Sequence, residues 1–295
     1  MRIVLAGALG EVGRSLREAL IARGHDVFPV SSRAPIADAP DVLGLAQVGA
    51  LVAAGPVDAL VHAGGPGDHR TGRNEVHRWT LELLATCSDI PAVLVSTTRV
   101  LEGYSQTPLE GSPGNPSTAY GQANADHEQL WLSNANTRVL RMVNYFCPPA
   151  DSTSPQASLL PWSLLLEGWQ TGKINVRSGG STVREFIDSG DAARAVEILI
   201  DEAPVDRVVV AAPGLVATLE QLVRASIRAC EAAGRKDVTA TFGEESSGTP
   251  WQMSPGWLTQ HGWSHELTLD RMTEEMSRWL VEWASTIPNS GRDRG

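Results

Sequence analysis

The chain has 295 residues, 42% apolar and 20% charged, the composition of an ordinary folded protein rather than a disordered one. Its net charge of −10 argues against a nonspecific nucleic-acid surface, which needs clustered Lys and Arg. No apolar run approaches a membrane span and no leader-like stretch opens the chain, so the expectation is a cytoplasmic protein with neither nucleic acid nor membrane as partner. Cys87, Cys147 and Cys230 are scattered without metal or redox spacing and read as reduced thiols, with no metal site expected.

The first half alternates short β-branched runs with helical patterns. Arg2–Ala6 reads as a buried strand, and 11–23 carries Val12, Leu16 and Leu20 at helical spacing before Gly24. Strands follow at Asp26–Val30, 57–62 and 92–96, with helices at Leu45–Ala54 and 75–87 between them. Such alternation implies parallel strands joined by right-handed crossovers, hence an α/β doubly wound parallel sheet. The second half is expected to hold helices at 119–133, 158–171, 191–202, 219–233 and 269–285, and strands at Thr137–Met142, 207–211 and 238–242. Segments 148–155 and 244–265 are rich in Gly, Pro and Ser and read as loops. The expected organisation is a dinucleotide-binding domain over 1–145, rejoined by 183–215. A smaller substrate-binding region takes 146–182 and 216–288, and 289–295 is a disordered tail.

Gly7, Gly10 and Gly13 stand between the first strand and the first helix. There they serve a tight turn, close approach of backbone to a pyrophosphate, and helix–strand packing. The helix N-terminus adds free N–H groups and partial positive charge. The second strand runs out as Val30, Ser31, Ser32 and Arg33, with the next acid only at Asp38. Two hydroxyls and a guanidinium suit a 2′-phosphate, so NADPH is the expected coenzyme and NADH the alternative.

The chain is similar over most of its length to the extended short-chain dehydrogenase/reductase family, of NAD-dependent epimerase/dehydratase type. The likeness rests on the glycine turn, on VDALVHAGG from Val57, on VSTTRVLEG from Val95, on STAYGQANADHEQ from Ser117, and on VREFIDSGDAARAV from Val183. VLRMVNYFCPP from Val139 also resembles the family segment that follows its catalytic helix. The resemblance implies a Rossmann-type fold and hydride exchange between a nicotinamide and a carbon bearing oxygen. It places coenzyme contacts at Gly7, Leu9, Gly10, Glu11, Val12, Asp41, Val42, Ala63, Gly64 and Gly65, beside Ser31, Ser32 and Arg33. It places the catalytic hydroxyl on Thr98 and the acid/base on Tyr120. The family lysine, four residues beyond the tyrosine, is replaced by Asn124. The family's helical Asn is also missing, with Val76 and His77 at its position.

The loss of the lysine has a consequence. A phenol with a free pKa near ~10 becomes a base at neutral pH only beside positive charge, whereas it donates a proton without help. Reduction is therefore expected, without the reverse oxidation, and with proton delivery from Tyr120, water, a side chain or an acidic substrate hydroxyl.

Candidate substrate contacts are Ser96, Thr97, Asn144, Trp162, Arg184 and Trp251. Trp169, Trp257 and Trp263 belong to the same indole-rich half, with core packing as their alternative role. Asp68, His69 and Arg70 lie in a polar loop after the third strand, where ligand or solvent contact is open. His62 reads as a packed strand residue. An aromatic polyketide is the expected substrate, since ketoreductases of this family with a broken triad act on angucyclinone-type polyketides. A nucleotide-sugar ketoreductase or epimerase and a non-catalytic dinucleotide sensor are the alternatives. The protein is expected to be a monomer or homodimer.

Overall fold

A computed structural model of the chain describes residues 1–33, 39–65, 73–149, 159–204, 206–245, 252–253 and 256–286, with the side chains of 73–77 excepted. The chain divides into two units: Met1–Tyr145 with Ile187–Gly214 and Trp251–Glu266, and Phe146–Phe186 with Leu215–Pro250 and Leu267–Gly295.

The first unit is built on a six-stranded parallel sheet of β1 (Arg2–Ala6), β2 (Asp26–Val30), β3 (Ala59–His62), β4 (Ala92–Thr97), β5 (Thr137–Met142) and β9 (Val208–Ala211). Their order is β2-β1-β3-β4-β5-β9. The chain leaves β1 to one side for β2 and returns to the other side for β3. The topological switch point therefore lies at the carboxyl ends of β1 and β3, where such sheets bind ligands.

Strand alternation sends Val4, Ala6, Leu60, Ala92 and Leu94 to one face. There they pack on Val48 of α2 (Leu45–Ala54), Leu83 and Leu84 of α3 (Arg73–Thr86), and Trp131 of α4 (Ala119–Leu132). α1 (Glu11–Ala22) packs against α6 (Ser189–Asp201) and buries Gly13, Ser15, Leu16 and Leu20.

Both sheet edges are closed by hydrogen bonds. On β2, Leu43 N–H donates to Pro29 O and Ser31 N–H to Leu43 O. On β9, Val210 N–H donates to Glu110 Oε1 at 2.8 Å, while Glu110 Oε2 accepts from Trp257 N–H at 2.6 Å at the start of α8 (Trp257–Gln260). The stretch Trp251–Glu266, assigned from sequence to the substrate region, belongs to this first unit. Trp263 Nε1–H donates to Asp191 O and Glu266 N–H to Asp191 Oδ1, and both bonds tie the stretch to α6.

The second unit has an apolar core lined by α5 (Trp162–Thr171), α7 (Leu219–Ala232) and α9 (Leu269–Thr286). Leu165, Leu222, Cys230, Met272, Met276 and Leu280 are buried in it. It also holds β7 (Lys173–Val176) paired in parallel with β11 (Thr239–Phe242). A three-stranded sheet has the order β10-β8-β6, from β10 (Leu215–Thr218), β8 (Val183–Asp188) and β6 (Asn144–Phe146). Of these strands only β11 matches a strand expected from the sequence. The helix expected over 158–171 begins at Trp162. No helix among the described residues is long and apolar enough to cross a membrane.

Candidate active site

The turn from β1 into α1 is dictated by sterics. Gly7 has φ +78°, and a Cβ there would overlap the amide nitrogen of Gly64, just beyond β3. A Cβ at Gly13 would overlap the Gly7 carbonyl. These two glycines are therefore required by neighbouring backbone. Gly10 is different: its Cβ would meet only Gly7 O, at an ordinary 3.5 Å. Among the described residues nothing needs a glycine there, so the missing side chain leaves room in front of the helix. Gly10 caps α1 without a side-chain bond, and the first-turn N–H groups of Glu11, Val12 and Gly13 have no acceptor within the helix. The cradle fits a pyrophosphate. Glu11, in that first turn, brings a negative charge that competes with the phosphate for the helix end.

Around the turn, Ser31 Oγ accepts Arg33 N–H at 3.1 Å and shapes the end of β2, leaving Ser32 and Arg33 exposed. Leu9, between Gly7 and Gly10 on the glycine turn, is 45% exposed. Asp38 lies outside the described residues. Asp41 is ion-paired with Arg17 of α1 at 2.6 Å, and Val42 is buried. Ala63 N–H continues the β1–β3 ladder onto Ala6 O, and among the described residues nothing would crowd a Cβ at Gly65.

His62 is buried at the end of β3, and its Nδ1 accepts Gly64 N–H at 3.3 Å. Burial, and then the neighbouring His127, push its pKa well below the usual value, so it stays neutral. His127 Nε2 accepts the Trp131 indole N–H at 2.9 Å, which leaves the other ring nitrogen to carry the proton of a neutral imidazole.

At the carboxyl end of β4, Thr97 Oγ1 accepts Arg99 N–H and starts a 3-10 turn over Thr98–Leu101. Thr97 and Thr98 are half-buried. Thr118 caps α4, accepting Gly121 N–H. Gly121 sits against this turn, since a Cβ there would lie 2.6 Å from Arg99 O. Tyr120, one residue before that contact and 47% exposed, thus stands in the first turn of α4 at the head of the turn that carries Thr98. Asn124 is buried and its Nδ2 donates to Tyr120 O at 2.9 Å. Its amide is spent on the helix backbone, and position 124 offers no cation. Arg99 is ion-paired with Glu102, whose Oε2 also accepts from Thr118 Oγ1 at 3.4 Å.

Two substrate residues expected from the sequence have other roles. Ser96 is buried, and its hydroxyl donates to Glu128 Oε1 at 2.6 Å, because strand alternation points it under α4 rather than toward a ligand. Trp162 is 1% exposed and stacked on Phe146 with ring centroids 5.3 Å apart. It belongs to the second unit's core rather than to a cleft.

Trp263 is buried, Trp169 packs against that same core, and Trp257 stacks on His261. Asn144 opens β6 half-buried, and Arg184, on β8, donates to Val183 O. Trp251, Asp68, His69 and Arg70 lie outside the described residues, as do the side chains of Val76 and His77. Among the described residues no group of His, Cys, Asp and Glu is placed to hold a metal.

The sequence reading missed Glu128, His127 and Arg141. The signal was there: Tyr120, Asn124, His127, Glu128 and Trp131 recur at helical spacing on one face of α4.

The fold is that of known nucleotide-sugar enzymes. A UDP-glucose 4-epimerase from Thermus thermophilus, solved with NAD, superposes with TM-score 0.69 at 18% identity, covering 97% of this chain and 100% of that one. A dTDP-glucose 4,6-dehydratase from Bacillus anthracis with NAD gives TM-score 0.72 at 16% identity, covering 96% and 98%. An NAD-dependent NDP-hexosamine 5,6-dehydratase of tunicamycin biosynthesis gives 0.69 at 18%, covering 97% and 98%. No curated protein matches the sequence significantly. The profile of the NAD dependent epimerase/dehydratase family matches residues 3–212, and the chain belongs to that family.

Proposed function

We propose that the protein is an NADPH-dependent ketoreductase that turns a carbonyl of a small molecule into an alcohol and does not run the reverse oxidation. The observation that carries this reading is Asn124, buried, uncharged and bonded to the Tyr120 carbonyl where a cation would activate the tyrosine. The coenzyme, when bound, supplies the hydride. Glu11 and Val12 would hold its pyrophosphate through backbone N–H groups, Gly10, whose own N–H donates to Gly7 O, leaving room for it, and Ser31, Ser32 and Arg33 would hold its 2′-phosphate. The Thr98 hydroxyl holds the substrate oxygen, and the Tyr120 hydroxyl gives that oxygen its proton. A neutral phenol can donate in this way, but abstracting a proton from an alcohol needs a phenolate that nearby positive charge stabilises.

A ketone hydrogen-bonded to its own phenolic hydroxyl suits such a site, since the substrate then brings part of the acid. This favours an aromatic polyketide as substrate and does not depend on the tryptophans.

A nucleotide-sugar substrate is the second reading, favoured by the solved structures of this fold that hold UDP-glucuronic acid or UDP-glucose with NAD. Epimerisation begins with an oxidation, which Asn124 disfavours; a nucleotide-sugar ketoreductase does not.

The test has three arms. Titration with NADPH and NADH should give tighter binding of NADPH, and Arg33→Ala should erase most of the difference, about 10-fold or more. Coenzyme oxidation should appear with hydroxylated aromatic ketones and not with UDP-sugars. Asn124→Lys should raise alcohol oxidation at neutral pH relative to reduction. Absence of binding to either coenzyme would overturn the whole reading.

A further inference from the structure

We infer that Glu128 is a positioning residue for the Thr98–Tyr120 pair, acting through Ser96 and Arg141; the inference rests on the catalytic roles proposed above. The inward side of α4 is unusually polar: Asn124, His127 and Glu128 are buried alongside Ala123 and Trp131. Glu128 is 1% exposed, and each of its oxygens is engaged. Oε1 accepts Ser96 Oγ–H at 2.6 Å and Arg141 Nε–H at 3.0 Å, and Oε2 accepts Arg141 Nη2–H at 2.7 Å. Ser96 and Arg141 are register partners across β4 and β5. One carboxylate therefore fastens α4 to a single cross-strand pair of the sheet. Arg141 Nη1–H also donates to Ser112 O at 2.7 Å, holding the loop that leads to the α4 cap, Thr118.

The geometry links this anchor to the reacting hydroxyls. Ser96, on β4, precedes by two residues Thr98, which opens the 3-10 turn after that strand. Glu128 follows Tyr120 by eight residues, about 12 Å along a helix. A slip of α4 by one residue would move Tyr120 about 1.5 Å and turn it about 100°. Apolar packing alone tolerates small slips, but a bidentate Arg–carboxylate bond with a third short hydrogen bond does not. A buried ion pair is a poor source of net stability compared with well-packed apolar residues, so its use at this point is better explained by placement. Angstrom-scale displacement of a catalytic group costs on the order of 100-fold in rate.

The test is steady-state kinetics of Ser96→Ala, which removes the bond from β4 and leaves the Glu128–Arg141 pair intact, and of Ser96→Thr, which can restore it. Ser96→Ala should lower kcat about 10-fold or more with KM for coenzyme and thermal stability nearly unchanged, and Ser96→Thr should recover most of the loss. Glu128→Gln should lose more activity, and it strands Arg141, so its stability is measured alongside. Wild-type kcat in Ser96→Ala, or a loss that merely follows stability, would overturn the inference.

Should the protein bind coenzyme but reduce no ketone tried, the substrate reading fails while this one is still decided by amide exchange. Residues 119–123 of coenzyme-bound Ser96→Ala should exchange about 10-fold faster than in the wild type, with 137–142 unchanged. Equal exchange would refute the positioning role.

Discussion

The two units bury their interiors by opposite means. The second unit stacks apolar bulk: Phe146 on Trp162, Trp162 edge-on to Trp279, and Trp279 on Trp283, among Leu, Met and Val side chains. The first unit has an apolar sheet as well, but where β1, β3 and β4 end it is held by constraints of direction: glycines with no room for a Cβ, a buried histidine pair, and a carboxylate bonded to two strands. Apolar bulk supplies stability and tolerates substitution of similar volume. Directional constraints supply position and tolerate little. The candidate site lies in the second kind of construction, and the stacked tryptophans of the second unit form a packed core.

The contrast can be broken by paired substitutions. Trp162→Ala should cause the largest change, costing about 3–5 kcal/mol by calorimetry or denaturant titration while the folded fraction keeps its coenzyme affinity. Trp162→Phe should be far milder, because Trp162 Nε1 is buried without a hydrogen-bond partner among the described residues and phenylalanine removes that group. A raised KM for the ketone substrate in folded Trp162→Phe, with coenzyme binding unchanged, would make the tryptophan a substrate contact after all. Gly13→Ala should do the converse. Its Cβ overlaps the Gly7 carbonyl, so the turn must shift, weakening coenzyme binding by about 10- to 100-fold while costing about 1–3 kcal/mol of stability.

The smallest effect sharpens the comparison through pH. Burial pushes the Glu185 carboxyl of β8 from an ordinary 4.5 up to about 7. The folded protein keeps a proton that the unfolded chain releases earlier. Stability contributed by this group is therefore full below about 4.5 and is lost as pH rises through about 7. Glu185→Gln should flatten stability across that window and raise it at pH 8 by roughly 1–2 kcal/mol. Thermal melts of both proteins across that range measure it; parallel curves would exclude the protonated carboxyl.

What the sequence revealed follows the same division. The sheet of the first unit was legible because its strands are short apolar runs, the first four of them alternating with helical patterns, and Gly7, Gly10 and Gly13 announce their turn by spacing. β6, β7 and β10 were not legible. Each has only three or four residues, and β7 finds its partner β11 more than sixty residues away, so no local signal marks it. Trp162 was misread because the presence of an indole does not say which side of a helix it occupies. Ser96, expected as a substrate contact, is turned inward by alternation along β4 and donates to Glu128 instead. Glu128 lay in view on the helical stripe below Tyr120, but a glutamate near a helix end reads as solvated until Arg141 is found opposite it.

The closed margins of the sheet limit how copies of this protein can associate. With Leu43 bonded along β2, and Glu110 occupying the outward amide of Val210 on β9, neither flank offers an uninterrupted row of donors and acceptors. Joining two copies into one continuous β-structure would require displacing one of these covers first. Strand-by-strand stacking through this six-stranded sheet is therefore obstructed on both of its flanks.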